Sequence, residues 1–338
     1  MKTYVGIDLH SNSSYIGIID DNDNKLFLKK LPNDLDKILL ALNKHKEFIV
    51  GIVVESTYNW YWLVDGLQAN GYKVHLSNPS ANKQYSGLKY SDDKSESLWL
   101  ASLLRLNILK EGYIYPTNER TVRDLLRRRM MFVQQRTAQM LSLQNMITRS
   151  LGIKKSSNDI RKMKPEDLSE LFNDSHLEFM ACQNLEVIRF MSEKIRKIEK
   201  QVESQAKLKP EYKLLKTING VGLTLALTIM LETGDISRFP TVGNFSSYCR
   251  CVPSKRISNG KKKSEGNRKN GNRYLSWAFV EAAGFNKRYC SEAQKFYQRK
   301  ASKTNKIIAI KALANKLARA SYYIMKDQVE YDPDRLFG

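Results

Sequence analysis

Several acidic residues in the first hundred positions stand where an acid is costly or where acids crowd together. Asp8 interrupts the apolar run Tyr4-Val5-Gly6-Ile7-Asp8-Leu9, and burying an ion there is unfavourable by several kcal/mol unless a partner compensates it. Glu55 closes the apolar run Phe48 to Val54. That is the carboxyl end of a strand, where open α/β sheets place their sites. Asp92-Asp93-Lys94-Ser95-Glu96 opens a helix running on through Leu98, Leu100, Ala101 and Leu104, and Asp93 and Glu96, three apart, share one of its faces. Gathered carboxylates repel one another, so a divalent cation is the natural counter-charge, and hard oxygen donors select Mg2+ or Mn2+. A pair of such ions stabilises both the attacking and the leaving oxygen of a phosphodiester. Taken singly, each acid has a plainer explanation: a cap or salt bridge for Asp8 and Glu55, and helix-dipole compensation for the Asp92 to Glu96 group. Their order along the chain is what favours catalysis.

A second candidate lies far downstream. Pro253 to Arg273 carries Lys255, Arg256, Lys261, Lys262, Lys263, Arg268, Lys269 and Arg273 against the single acid Glu265, with Gly260, Gly266 and Gly271 between them. Such a stretch cannot fold by apolar burial; it predicts a loop or β-ribbon lying on a charged ligand. Within it, Arg256-Ile257-Ser258-Asn259-Gly260 sets a hydroxyl among cations. Serine attacks phosphorus if its proton is removed and the charge on the phosphate oxygens is stabilised, a task for which Lys255, Arg256 and Arg273 are candidates. By chemistry alone Ser246, Ser247, Ser254 and Ser264 are its equals. No histidine is near in sequence, so a Ser-His-Asp arrangement would have to borrow His10, His45, His75 or His176, and nothing argues for one. Upstream, Leu214 to Gly222 followed by Leu223 to Glu232 has the form of a helix-hairpin-helix. Gly220 and Gly222 permit the tight turn, and the amides of the next helix can hold a backbone phosphate. A glycine turn between packed helices is the plainer alternative.

The elements that must carry these residues can be read from periodicity. Thr3 to Leu9, Ser14 to Ile19 and Lys25 to Leu31 predict a three-strand meander. Asp34 to Lys46 predicts an amphipathic helix, Phe48 to Glu55 a buried parallel strand, Trp60 to Asn70 a helix and Tyr72 to Ser77 a strand. This β-β-β-α-β-α-β order, with a helix after it, is that of a ribonuclease-H-like fold. Long helices are expected from Glu119 to about Leu208, where Ile188, Met191, Ile195, Ile198 and Val202 make a seam about two heptads long, suited equally to packing within the chain or to a dimer. Helices near Asn272 to Phe285 and Lys306 to Asp327 complete a mostly helical remainder. The aromatic run Tyr58-Asn59-Trp60-Tyr61-Trp62 reads as core packing before base stacking.

The 338 residues suffice for two domains, and 56 Lys+Arg against 35 Asp+Glu give a net charge of +21. That excess points to a polyanionic partner. Four cysteines make neither a disulfide framework nor a zinc site of familiar spacing, so a reducing compartment is expected. The apolar runs fall short of a membrane span, and a secreted enzyme, a disulfide miniprotein and a membrane transporter are not expected.

Beyond these readings, Tyr4-Val5-Gly6-Ile7-Asp8-Leu9-His10, Val54-Glu55-Ser56-Thr57 and Ser91-Asp92-Asp93-Lys94-Ser95-Glu96-Ser97-Leu98-Trp99-Leu100-Ala101 resemble the acidic motifs of insertion-sequence transposases of the 110 type. Those enzymes are also described as bridge-RNA-guided serine recombinases and are related to the Piv invertases. Ile218-Asn219-Gly220-Val221-Gly222, Glu232-Thr233-Gly234-Asp235, Arg238-Phe239, Val252-Pro253-Ser254 and Gly271-Asn272-Arg273-Tyr274-Leu275 resemble their second domain in order and spacing. The resemblance implies a RuvC-like, metal-binding domain over 1–115, a helical coiled-coil arm over 116–209 and a C-terminal transposase domain over 210–330. It implies a metal tetrad on Asp8, Glu55, Asp93 and Glu96 and a nucleophile at Ser258. The usual fourth member is Asp followed by Ala; here Glu96 is followed by Ser97, a departure. Asp93 is preferred to Asp92 because it lies eight residues before Ala101, as the family's spacing requires, and three before Glu96; Asp92 is the alternative ligand. Donor and target DNA, a guide RNA, assembly of homodimers into a homotetramer, and a bacterial cytoplasmic setting at the nucleoid are likewise implied. Family members bring one subunit's acidic domain to another's serine domain. The competing readings are a metal-only nuclease or junction resolvase, in which water attacks, and a non-catalytic nucleic-acid-binding protein whose acids are structural.

Overall fold

Three antiparallel strands open the chain, β1 (Thr3–Leu9), β2 (Ser13–Asp20) and β3 (Lys25–Pro32). After helix α1 (Leu35–Asn43), strand β4 (Ile49–Glu55) pairs parallel to β1; helix α2 (Tyr61–Ala69) then leads to β5 (Val74–Ser77), parallel to β4. Helix α3 (Asp93–Arg105) and the short edge strand β6 (Glu111–Gly112) complete a mixed sheet of order β3-β2-β1-β4-β5-β6. The computed structural model describes residues 1–82, 92–206, 209–265 and 270–338.

The pleat sorts β1 into two faces. Val5, Ile7 and Leu9 join Ile38, Leu42 and Leu63 in an apolar core. Gly6 and Asp8 belong to the opposite face, over which α3 lies. Gly6 is paired directly with Gly17 of β2, and this bare patch sets how close the helix comes. A Cβ on Gly6 would fall 1.9 Å from the Ser97 carbonyl oxygen and 2.7 Å from the Ala101 nitrogen. Ser97 is fully buried at this contact, and its hydroxyl donates to the Lys94 carbonyl at 2.9 Å, so it fits as a small, internally satisfied residue. The serine that follows Glu96 is thereby compatible with close approach. Trp60 lies in the core, with Tyr61 and Trp62 packed against it, while Tyr58 is exposed.

The chain divides into two units, Met1–Thr117 and Asn118–Gly338. In the second, the long helices α4 (Thr117–Leu151) and α7 (Ser175–Ala206) run antiparallel, linked by Arg129 to Glu199 at 2.8 Å and Arg136 to Ser192 at 3.2 Å. Short helices α5 (Ser157–Lys162) and α6 (Pro165–Leu171) close their far end around Leu143, Ile147, Leu168 and Ile188. At the near end, Leu126 and Val202 join a larger core. The seam residues Ile188, Ile195 and Val202 are thus buried within the chain itself.

Helices α8 (Pro210–Leu215), α9 (Leu223–Thr233) and α10 (Val242–Tyr248) follow, then a ribbon of β7 (Lys255–Ser258) and β8 (Lys261–Glu265). Helices α11 (Arg273–Tyr289), α12 (Ser291–Lys303), α13 (Lys306–Asp327) and α14 (Pro333–Phe337) end the chain. A mixed sheet followed by a helical unit is consistent with a ribonuclease-H-like N-terminal domain and a helical C-terminal one. Among the described residues, no helix is long and apolar enough to cross a membrane.

Candidate active site

Asp8 and Glu55 each stand one residue beyond the last register pair of two parallel strands, Ile7 with Val54. They are therefore neighbours at the carboxyl edge of the sheet. Helix α3 brings the other two acids: Asp93 lies in its first turn and Glu96 one turn on. Two overlapping groups of side chains have ligand atoms within 4.8 Å of one another, Asp8 with Glu55 and Glu96, and Asp8 with His10 and Asp93. Asp8 is common to both, with a side chain 1% exposed.

The electrostatics follow from that burial. Desolvation, then the adjoining Glu55 carboxyl, then the charges of Glu96 and Asp93 push the Asp8 carboxyl up to about 8. Its Oδ2 is buried and receives no hydrogen bond. An orphaned carboxylate oxygen facing further carboxylates is what a divalent cation with hard-oxygen preference satisfies, so the donor set fits the expected ion. Asp92 belongs to neither group. Its carboxylate caps α3 by accepting from the Ser95 amide at 2.9 Å, and its own amide donates back to Ser95 Oγ at 3.1 Å.

Sequence reasoning set His10 aside, yet the structure brings it to this cluster, with Nε2 at 3.0 Å from Asp8 Oδ2 and 3.3 Å from Asp93 Oδ2. The available signal was the Asp-x-His spacing at a strand end, which returns both side chains to one face.

In the second unit the basic stretch forms a β-ribbon. Ser258 pairs with Lys261 across Asn259-Gly260, whose φ of 51° and 69° are the left-handed pair of a two-residue I′ hairpin. Ser258, Lys261 and Lys263 are exposed, as is Arg273 at the start of α11, whose guanidinium lies 4.9 Å from the Tyr274 ring centroid. The backbone places Lys255, Arg256 and Lys262 in the ribbon; their side chains, like all of Arg268, lie outside the described residues. At the ribbon's root, Arg250 donates to the carbonyls of Asn270 at 2.8 Å and Gly271 at 3.0 Å.

Beneath that root is a buried polar cluster for which sequence reasoning had no role. Glu232, in the last turn of the largely apolar α9, has a side chain 2% exposed and takes a two-pronged contact from Arg127, at 2.6 and 2.7 Å. Asn272 Nδ2 also donates to Glu232 at 2.7 Å, while its Oδ1 caps α11 by accepting from Tyr274 and Leu275 amides. Burial opposes the Arg127 charge, but the Glu232 carboxylate outweighs it and raises the guanidinium further. The detectable signal was the same as for Asp8, an acid in an apolar run.

Gly220, at φ 86°, packs on α11; a Cβ there would fall 2.7 Å from Phe285 Cβ. Asn286 holds the turn by donating to the Asn219 carbonyl at 2.9 Å. Gly222, by contrast, is exposed at the start of α9 with open space at its Cβ position. Burial pushes the Cys251 thiol up to about 12, and all four cysteines are free.

Two known family models match stretches of the chain. Residues 5–151 match the transposase model of the DEDD domain of IS110 elements, and residues 212–298 match that of the transposase IS116/IS110/IS902 family. A DEDD domain implies use of a divalent metal, and the class is that of transposases, enzymes that act on DNA. The chain belongs to the IS110 family. No curated protein matches it.

Proposed function

We propose that this transposase is a recombinase that excises and inserts a mobile element through a covalent link between Ser258 and DNA. The observation that carries the reading is the gathering of Glu55, Asp93 and Glu96 around Asp8, whose buried Oδ2 receives no hydrogen bond. In it, a RuvC-like N-terminal domain holds Mg2+, or Mn2+, through Asp8, Glu55, Asp93 and Glu96. Bound there, the cation supplies Lewis-acid polarisation of a phosphate oxygen. Ser258 Oγ gives up its proton and forms a bond to phosphorus as the bond to the departing strand's oxygen breaks, and that oxygen takes up a proton. The exposed hairpin tip can reach a duplex without displacing any packed element. Lys255, Arg256, Lys261, Lys262, Lys263, Arg268 and Arg273 offset phosphate charge, which makes binding salt-dependent without distinguishing sequences. The amides opening α9 at Gly222, in the turn formed by Gly220, add a backbone phosphate contact. Donor and target DNA are selected through a structured guide RNA, and the chain acts as homodimers paired in a homotetramer.

The test is a trapped reaction with donor DNA and Mg2+, digested and weighed by mass spectrometry. A nucleotide adduct on the Ser258 peptide, lost together with strand cleavage in Ser258→Ala, is expected. Full cleavage by Ser258→Ala would refute the covalent step and leave a metal-only nuclease. Unchanged activity in Asp8→Asn would remove the metal chemistry.

A further inference from the structure

The two groups of side chains that share Asp8 differ in their donors. Asp8, Glu55 and Glu96 offer oxygen alone, whereas Asp8, Asp93 and His10 offer two carboxylates and an imidazole nitrogen. His10 Nε2 stands 3.0 Å from Asp8 Oδ2, yet that oxygen receives no hydrogen bond. His10 Nε2 also lies 3.3 Å from Asp93 Oδ2, so a single imidazole nitrogen is within reach of both carboxylates.

The backbone at His10 is held as a ligand's should be. Its carbonyl accepts from the side-chain amides of Asn33 at 2.9 Å and Asn59 at 3.1 Å, from the ends of β3 and of the loop after β4. Its amide donates to the Ser13 carbonyl at 3.0 Å. The two asparagines are oriented in turn, Asn33 by the Ser14 hydroxyl at 2.7 Å and Asn59 by the Thr57 hydroxyl at 2.9 Å. These contacts fix the backbone from which the imidazole projects toward Asp8 and Asp93.

We infer that His10 Nε2 is a nitrogen ligand of a divalent cation held with Asp8 and Asp93, so that the centre has one all-oxygen position and one mixed position sharing the Asp8 carboxylate. The inference rests on reading the acidic cluster as a cation site. Imidazole is a better donor to first-row transition ions than to Mg2+, so the mixed position favours Mn2+. Substituting His10 should weaken Mn2+ binding more than Mg2+ binding. Because the imidazole is 43% exposed, its removal should leave the fold intact.

The experiment is pulsed electron paramagnetic resonance on the full chain loaded with Mn2+, without nucleic acid, beside titration calorimetry with Mn2+ and Mg2+. The expected spectrum carries 14N modulation from a directly bound imidazole. That modulation changes to the 15N pattern when histidine is 15N-labelled and vanishes in His10→Asn. The same variant should lose about tenfold in Mn2+ affinity and less in Mg2+ affinity. Mn2+ binding that depends on Asp8 but shows no 14N coupling, with His10→Asn equal to wild type, would overturn this inference and leave the acidic site standing. Absence of Mn2+ binding in the wild type would overturn both.

Discussion

The acidic cluster of the first unit and the serine ribbon of the second solve opposite problems of positioning. The acids are held by a sheet edge and a helix pressed onto a glycine pair, and one oxygen of their central carboxylate is buried without a hydrogen bond. The ribbon is a two-residue hairpin with an exposed tip, secured by contacts at its root. On the proposed reading, the first site is built in advance at an electrostatic cost that a cation would relieve, while the second offers an exposed hydroxyl for a polyanion to surround. On that reading, the charged site and the open ribbon would divide the work of phosphodiester exchange between them.

The comparison breaks most readily at the buried supports. Arg127→Ala would remove the two-pronged contact to the buried Glu232 carboxylate, and a loss of about 3 kcal/mol is expected, read as a fall in Tm of the second unit by calorimetry. In the first unit, Gly6→Ala drives a methyl group into the α3 backbone. A loss of about 3 kcal/mol, together with lost cation binding, is expected from thermal melts and metal titration. Gly260→Ala, the same exchange at the hairpin tip, meets open space and only the strain of a φ of 69°. It should cost about 1 kcal/mol and leave cation binding unchanged.

A subtler difference lies in pH. With chelator present, the unfolded Asp8 carboxyl releases its proton near its ordinary value of 3.8 and the folded one only near 8. Between these values the folded chain holds the extra proton, so stability should fall as pH rises from about 4 to 8 and then level off. Asp8→Asn should flatten that slope in melts followed across the range. A wild-type slope of the opposite sign would contradict the burial argument.

Much of this division could be read from residues in order. Asp8 within an apolar strand, Glu55 at a strand end and Asp93 with Glu96 on one helical face are local patterns, and the sheet's first five strands lie within a few residues of their expected bounds, the short edge strand β6 having gone unread. Asn259-Gly260 makes the ribbon's turn because both positions need left-handed backbone. What sequence did not disclose is what distance along the chain conceals. Arg127 meets Glu232 across 105 residues; the Gly6–Gly17 patch matters only because α3 lies on it; and His10 joins the acids through loops anchored by Asn33 and Asn59. The helical seam was open to two partners until Ile188 and Val202 were found in separate cores of one chain.

The most direct test of the built-in charged site is calorimetric titration of the full chain with Mg2+ in the absence of nucleic acid. Saturable binding that persists in Ser258→Ala and weakens by about tenfold or more in Asp8→Asn is predicted. Wild type and Asp8→Asn giving the same isotherm would contradict it.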